Sequence, residues 1–176
     1  MSRTLILMRH ADAGIGYPDH ERPLSSAGKA DATSAGSWIR SELSGVDAVV
    51  CSTAKRTRQT LEALAVDAPT RFAEDVYGGG VADILDEIAR TPDDAQTLLV
   101  VGHAPGIPAV AYELARLAED VRPVPSAANE DPEEAADLAA LRHFAACALA
   151  VLVTDSGWAE LSDVGAELVS VRHPRD

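Results

Sequence analysis

The chain is poor in cysteine, in positive charge and in long apolar runs, and each shortage closes a class of explanation. Its 176 residues include two cysteines, Cys51 and Cys147, both inside apolar runs (DAVVCS and AACALAVLV). That pattern reads as two buried free thiols in a reducing compartment, not as a disulfide framework. Fifteen Lys and Arg stand against 28 Asp and Glu, a formal net charge of −13. Phosphate backbones and anionic bilayers need a basic footprint, so neither nucleic acid nor a membrane surface is expected as a partner. The opening MSRTLILMRH has five residues between Arg3 and Arg9, too few for a signal-peptide core. No segment approaches the roughly 20 apolar residues that span a bilayer, so the expected location is the cytoplasm. There is no HxxxH, no CxxC and no Asp and His cluster at ligand spacing, so neither a metal nor any other cofactor is expected. His20, His143 and His173 read as isolated. The sequence is silent on oligomeric state.

What is present is an ordinary globular composition, 47% hydrophobic and 24% charged. A chain of this size buries roughly two-thirds of the surface its unfolded form exposes, enough for a core without staples. Short continuous apolar runs at residues 4–8 (TLILM), 48–51 (AVVC), 98–101 (LLVV) and 148–154 (ALAVLVT) suit strands covered on both faces, as in a parallel sheet. Helical spacing fills the intervals: residues 26–43, the series Val81, Ile84, Leu85, Ile88, and the series Ile107, Val110, Ala111, Leu114. Asp131-Pro132-Glu133-Glu134 spells a further helix start, with an acid cap and Pro at the first position. This rhythm predicts one α/β domain over residues 1–176, a three-layer arrangement with a mostly parallel central sheet and helices on both faces. Residues 119–131, rich in Pro and charge, are expected to form an exposed loop within it.

Three of the strand runs end on unusual residues. The first stops at Arg9-His10, the second is followed by Ser52-Thr53-Ala54-Lys55-Arg56, and the third stops at Gly102-His103. In open parallel sheets the ligand crevice lies beyond the carboxyl ends of the strands. If these strands are parallel neighbours, Arg9, His10, Arg56 and His103 meet at one sheet edge. Two guanidiniums and two imidazoles in one crevice suit a phosphate group. An imidazole nucleophile has to be neutral, and neighbouring arginines disfavour the imidazolium. Lys29, Lys55 and Arg58 read as surface charges, and Trp38, Trp158 and Phe144 as core.

LILMRHADAG, then RPLSSAG, then STAKRTRQT, then LLVVGHAPG resembles the histidine phosphatase superfamily, whose fold is phosphoglycerate mutase-like. The RHA variant, the RPL-x-x-x-G segment, the small size and a late HFAACALAV segment are similar to the SixA-type phosphohistidine phosphatases. The resemblance implies that His10 is the nucleophile and passes through a phosphohistidine intermediate. It implies that Arg9 and Arg56 clamp the phosphoryl oxygens and His103 hydrogen-bonds them. Arg22 would bind substrate at the pocket mouth. Ala104 and Ala146 stand where the family pattern has an amide and a hydroxyl.

The reaction so implied is metal-independent phosphatase chemistry, with phosphohistidine in a protein as the favoured substrate. An imidazole is a far better leaving group than an alkoxide, and a chain without a lid-sized insertion leaves the pocket open to a protein surface. The alternative is a phosphatase for small phosphate esters or anhydrides, a phosphorylated metabolite replacing the protein partner, with Glu74 or Asp75 as general acid. A third reading is a non-catalytic module that recognises phosphorylated groups.

Overall fold

The computed structural model describes residues 1–121 and 132–175. Its elements in chain order are β1 (Arg3–Arg9), α1 (Ser26–Glu42), β2 (Ala48–Ser52), α2 (Lys55–Leu64), β3 (Thr70–Ala73), α3 (Asp75–Gly78), α4 (Val81–Ala89), β4 (Thr97–Gly102), α5 (Gly106–Val121), α6 (Pro132–Ala140), β5 (Leu149–Thr154), α7 (Leu161–Val164) and β6 (Glu167–Arg172). The four apolar runs are four of the six strands, and their ends match the expected ones to within a residue.

The six strands form one mixed sheet in the order β3-β2-β4-β1-β5-β6. β3, β2, β4 and β1 run parallel, whereas at one side β5 pairs antiparallel with β1 and β6 antiparallel with β5. The ALAVLVT run, expected in a parallel setting, is therefore antiparallel to β1. A continuous apolar run records burial on both faces and carries no information on strand direction. β3 and β6 lack an apolar run because they are edge strands, half-exposed along their length.

β1 shows how two cores arise from one strand. Successive side chains of a strand point to opposite faces. Leu5 and Leu7 join a core with Ile84, Ile88, Ile107, Val110, Leu114 and Trp158, the layer of α4 and α5. Ile6 and Met8 join a second core with Ala32, Ala35, Ile39 and Leu64, the layer of α1 and α2. The result is the three-layer α/β domain expected from the strand and helix rhythm.

Several local readings are corrected. Glu119–Val121 belong to α5 and not to a loop. Nothing in those residues breaks a helix, and the first proline comes only at Pro123. Residues 122–131, the rest of the expected loop, and Asp131 as helix cap lie outside the described residues. Trp158 and Phe144 are buried, but Trp38 is only half-buried, with the Arg172 guanidinium 4.9 Å from its ring centroid. Cys51 and Cys147 are free and buried, and burial pushes both thiols up to about 12. Among the described residues no helix is long and apolar enough to cross a membrane.

Candidate active site

Strand register brings the site together. β1 and β4 pair with Arg9 opposite Gly102, so the next residues, His10 and His103, leave the sheet side by side, with ring centroids 5.1 Å apart. The His10 backbone is fixed from both sides, by the end of β4 and by the turn that precedes β5: its N–H donates to Gly102 O at 2.9 Å and its carbonyl accepts from Cys147 N at 2.9 Å. Ala11 N–H donates to Thr60 Oγ1 of α2 at 3.0 Å. β2 ends at the same level with Ser52, and Arg56 rises from the first turn of α2 into the crevice.

The RPLSSAG segment folds back onto this loop. Ser25 caps α1 by accepting from Gly28 N at 3.0 Å. A side chain at Gly28 would put Cβ 2.1 Å from Asp12 O, so only glycine lets α1 press against the residues following His10.

Hydrogen bonds assign the state of each imidazole. His10 Nδ1–H donates to Ala11 O at 2.7 Å, which leaves the Nε2 lone pair facing Arg56, whose Nε donates to it at 3.3 Å. Arg56 also donates to His103 Nδ1 at 3.3 Å, so His103 carries its proton on Nε2 and donates to Ser52 Oγ at 2.7 Å. The His10 pKa is lowered to about 4 and that of His103 to about 3. Burial is the largest cause in both, ahead of the positive charge of Arg56 and Arg9. The arginines therefore reinforce a neutrality that desolvation already imposes.

Arg9, His10, Arg56 and His103, the four residues expected to meet, do so at the carboxyl ends of β1, β2 and β4. Arg9 donates to Phe144 O at 2.9 Å and is close enough to lower both histidine pKa values. Arg22 lies at the mouth, donating through Nε to Gly14 O at 3.1 Å and through NH1 to Asp19 Oδ1 at 3.2 Å. Glu74 is exposed at the same rim and accepts from the Thr53 hydroxyl, which pairs with His20 Nε2 at 3.0 Å. The Asp75 side chain is exposed in the first turn of α3 and makes no hydrogen bond or ion pair with these residues. Lys29, Lys55 and Arg58 are exposed, as expected.

His20 is not isolated. Its ring packs edge-on against Tyr77 at 4.9 Å, and Tyr77 packs against His103 at 5.5 Å, so the rings His10, His103, Tyr77 and His20 form a continuous wall. Asp19 and Tyr77 were not anticipated: Asp19 lies in the excursion after β1, and Tyr77 follows β3, an edge strand without an apolar run to mark its end. Ser52 could have been found, since it ends β2 at the same level as Arg9 and Gly102.

Chemically, the set can hold a tetrahedral anion between guanidiniums while a neutral imidazole presents a lone pair to it. At the carboxyl ends of the parallel strands of this mixed sheet, such a set suits a phosphoryl group. Comparison with known proteins agrees. Residues 5–76 match the family model of the histidine phosphatase superfamily (branch 1). An uncharacterized protein of Mycobacterium tuberculosis is 39% identical over 170 residues, which cover 96% of this chain and 100% of that protein. Among solved structures, the proposed phosphohistidine phosphatase SixA of Nakamurella multipartitia is 49% identical, with a TM-score of 0.91 over 100% of this chain and 98% of that one. The protein histidine phosphatase SixA solved with tungstate shares the fold at 19% identity, with a TM-score of 0.72 over 97% of each chain. The chain belongs to the histidine phosphatase superfamily, and its similarity to the Nakamurella protein runs through the whole of it.

Proposed function

We propose that this protein is a metal-independent phosphatase that uses His10 as its nucleophile and acts on phosphohistidine in a protein. The observation that carries the reading is the orientation of His10: Nδ1–H is fixed on Ala11 O, so Nε2 offers its lone pair to the space beside Arg56. Nε2 attacks phosphorus, a new N–P bond forms, and the bond to the leaving imidazole breaks with its electrons going to that imidazole, which takes a proton from water. Water then attacks the phosphohistidine of His10, releasing orthophosphate and restoring the neutral ring. Arg9 and Arg56 hold the phosphoryl oxygens as charge spreads over them, and His103, its Nε2–H held by Ser52, orients the Arg56 fork through Nδ1. Arg22 acts from the mouth.

The good leaving group favours phosphohistidine over small esters. The 49% identity to a proposed phosphohistidine phosphatase supports the same choice. A panel of phosphoramidate, a phosphohistidine protein, and alkyl and aryl phosphates tests it. Faster turnover of the P–N substrates is expected, with an acid-labile label on the enzyme. A His10→Ala variant that hydrolyses phosphoramidate at the parental rate would overturn the mechanism. The small-ester reading draws on Glu74, whose bond to Thr53 holds a carboxyl group at the rim. It predicts alkyl phosphate turnover that collapses in Glu74→Gln.

A further inference from the structure

The Arg56 fork already holds an anion supplied by the chain itself. After β1 the backbone crosses the mouth and returns in a short 3-10 turn, Asp19–Glu21. Gly14 N–H donating to Pro23 O at 2.8 Å and Arg22 Nε donating to Gly14 O tie this excursion to itself. The turn delivers Asp19 onto the clamp. Its Oδ2 accepts from Arg56 NH2 at 3.0 Å and from the Tyr77 hydroxyl at 3.2 Å, its Oδ1 accepts from Arg22 NH1 at 3.2 Å, and its carbonyl accepts from Arg56 NH1 at 2.8 Å. One carboxylate thus sits on the NH2 group of Arg56 that also reaches His103 Nδ1.

Carboxylate and phosphoryl oxygens make the same charge-assisted bonds to a guanidinium, so both compete for one set of donors. Arg56 itself does not depend on this carboxylate for its place. Its side chain is 8% exposed, it stands on a helix packed into the core, and the Asp19 carbonyl holds NH1 independently. The Asp19 side chain, in contrast, is 54% exposed, so water can replace its partners when it is displaced.

We propose that Asp19 is the specificity-determining residue of the phosphoryl subsite: an internal carboxylate on the Arg56 fork that an incoming phosphoryl group has to displace. The clamp then holds small free anions weakly, and a productive substrate brings contacts from outside the pocket, as a protein does. That last consequence rests on the function proposed above; the displacement itself does not. Partly exposed ion pairs are weak, so the displacement is modest and reversible.

Titration calorimetry with tungstate and with orthophosphate, at fixed pH and ionic strength, tests the displacement without requiring turnover. Asp19→Asn keeps an oxygen acceptor for Arg56 but removes the charge, and Asp19→Ala removes both. Both variants are expected to bind each oxyanion about three- to tenfold more tightly, the size of one or two partly exposed ion pairs. Asp19→Glu is expected to remain weak. Unchanged or weaker binding in Asn and Ala would overturn the proposal and leave Asp19 as a support for Arg56. A turnover arm compares phosphoramidate with a phosphohistidine protein, and kcat/KM is expected to rise more for the small substrate in Asp19→Asn. Failure of the wild-type protein to hydrolyse either would count against the proposed function while the calorimetry still decides the role of Asp19.

Discussion

Replacing Arg56 by lysine separates the two things a guanidinium offers, charge and a planar fork. In the structure the fork reaches four acceptors: His10 Nε2 and His103 Nδ1 at 3.3 Å, Asp19 O at 2.8 Å and Asp19 Oδ2 at 3.0 Å. Nε lies within hydrogen-bond reach of His10 Nε2, the proposed nucleophile, so a phosphoryl group carried there would have its oxygens beside Nε and NH2. An ammonium keeps the charge but can occupy only one of those positions. Loss of one positioned donor to the transition state costs about 3–4 kcal/mol, so kcat should fall about 10²–10³-fold in Arg56→Lys. Burial is the chief reason that His10 is neutral, so its pKa should stay well below 6.5 in the variant, which isolates fork geometry as the cause. Steady-state kinetics on phosphoramidate, with thermal melting as a control for folding, is the assay. A lysine variant within about tenfold of the parent would show that charge alone suffices and that the fork argument is wrong.

Other expectations follow from the same geometry. Long-range ¹H–¹⁵N spectra of the imidazoles should show His10 as the neutral Nδ1–H tautomer at pH 6, titrating near 4; a midpoint near 6.5 would contradict the hydrogen-bond assignment. Because His10 and His103 take up protons more readily unfolded than folded, their contribution to stability is complete above pH about 6.5 and is lost as pH falls toward about 4. Urea melts at pH 7.5, 6 and 5 should therefore lose midpoint stepwise, and a midpoint constant across that range would refute the sign. Glu74→Gln should change phosphoramidate turnover less than about threefold, whereas general-acid catalysis is worth about 10²–10⁴-fold where it operates. Gly28→Ala should lower stability by about 1–3 kcal/mol in denaturant melts, since its Cβ would meet Asp12 O at 2.1 Å; a neutral result would mean that α1 can shift freely.

Much of the sheet and half of the site were legible because both are written in local patterns. Strands buried on two faces need unbroken apolar runs, and the abrupt change to Arg9-His10, Ser52 and Gly102-His103 marks where those strands leave the core. β3 and β6 escaped because edge strands carry no such run. Asp19, His20 and Tyr77 escaped for a different reason: their place depends on contacts across long stretches of chain, Asp19 with Arg56 and Tyr77 with Asp19. The spacing of Asp19 and Arg22, three residues apart in DHER, is the one local trace of that arrangement. The cause of His10 neutrality was also hidden, because motifs name neighbouring charges and say nothing of how much water surrounds a ring.

The apolar stretch of β1 leaves one question of alignment that its own polarity cannot answer. Leu5, Ile6, Leu7 and Met8 are all fully buried, so sliding the strand by one position would exchange apolar groups between two apolar layers. The bookends settle it. Arg3 donates to Ser156 O at 2.8 Å, with its guanidinium 6.0 Å from the centre of the Trp158 ring, and Arg9 donates to Phe144 O at 2.9 Å at the far end. A slip in either direction would drag one guanidinium toward hydrocarbon. Arg9 is thus a vernier as well as a candidate anion ligand, and a change at this position would disturb the seating of the central strand together with the chemistry at its end.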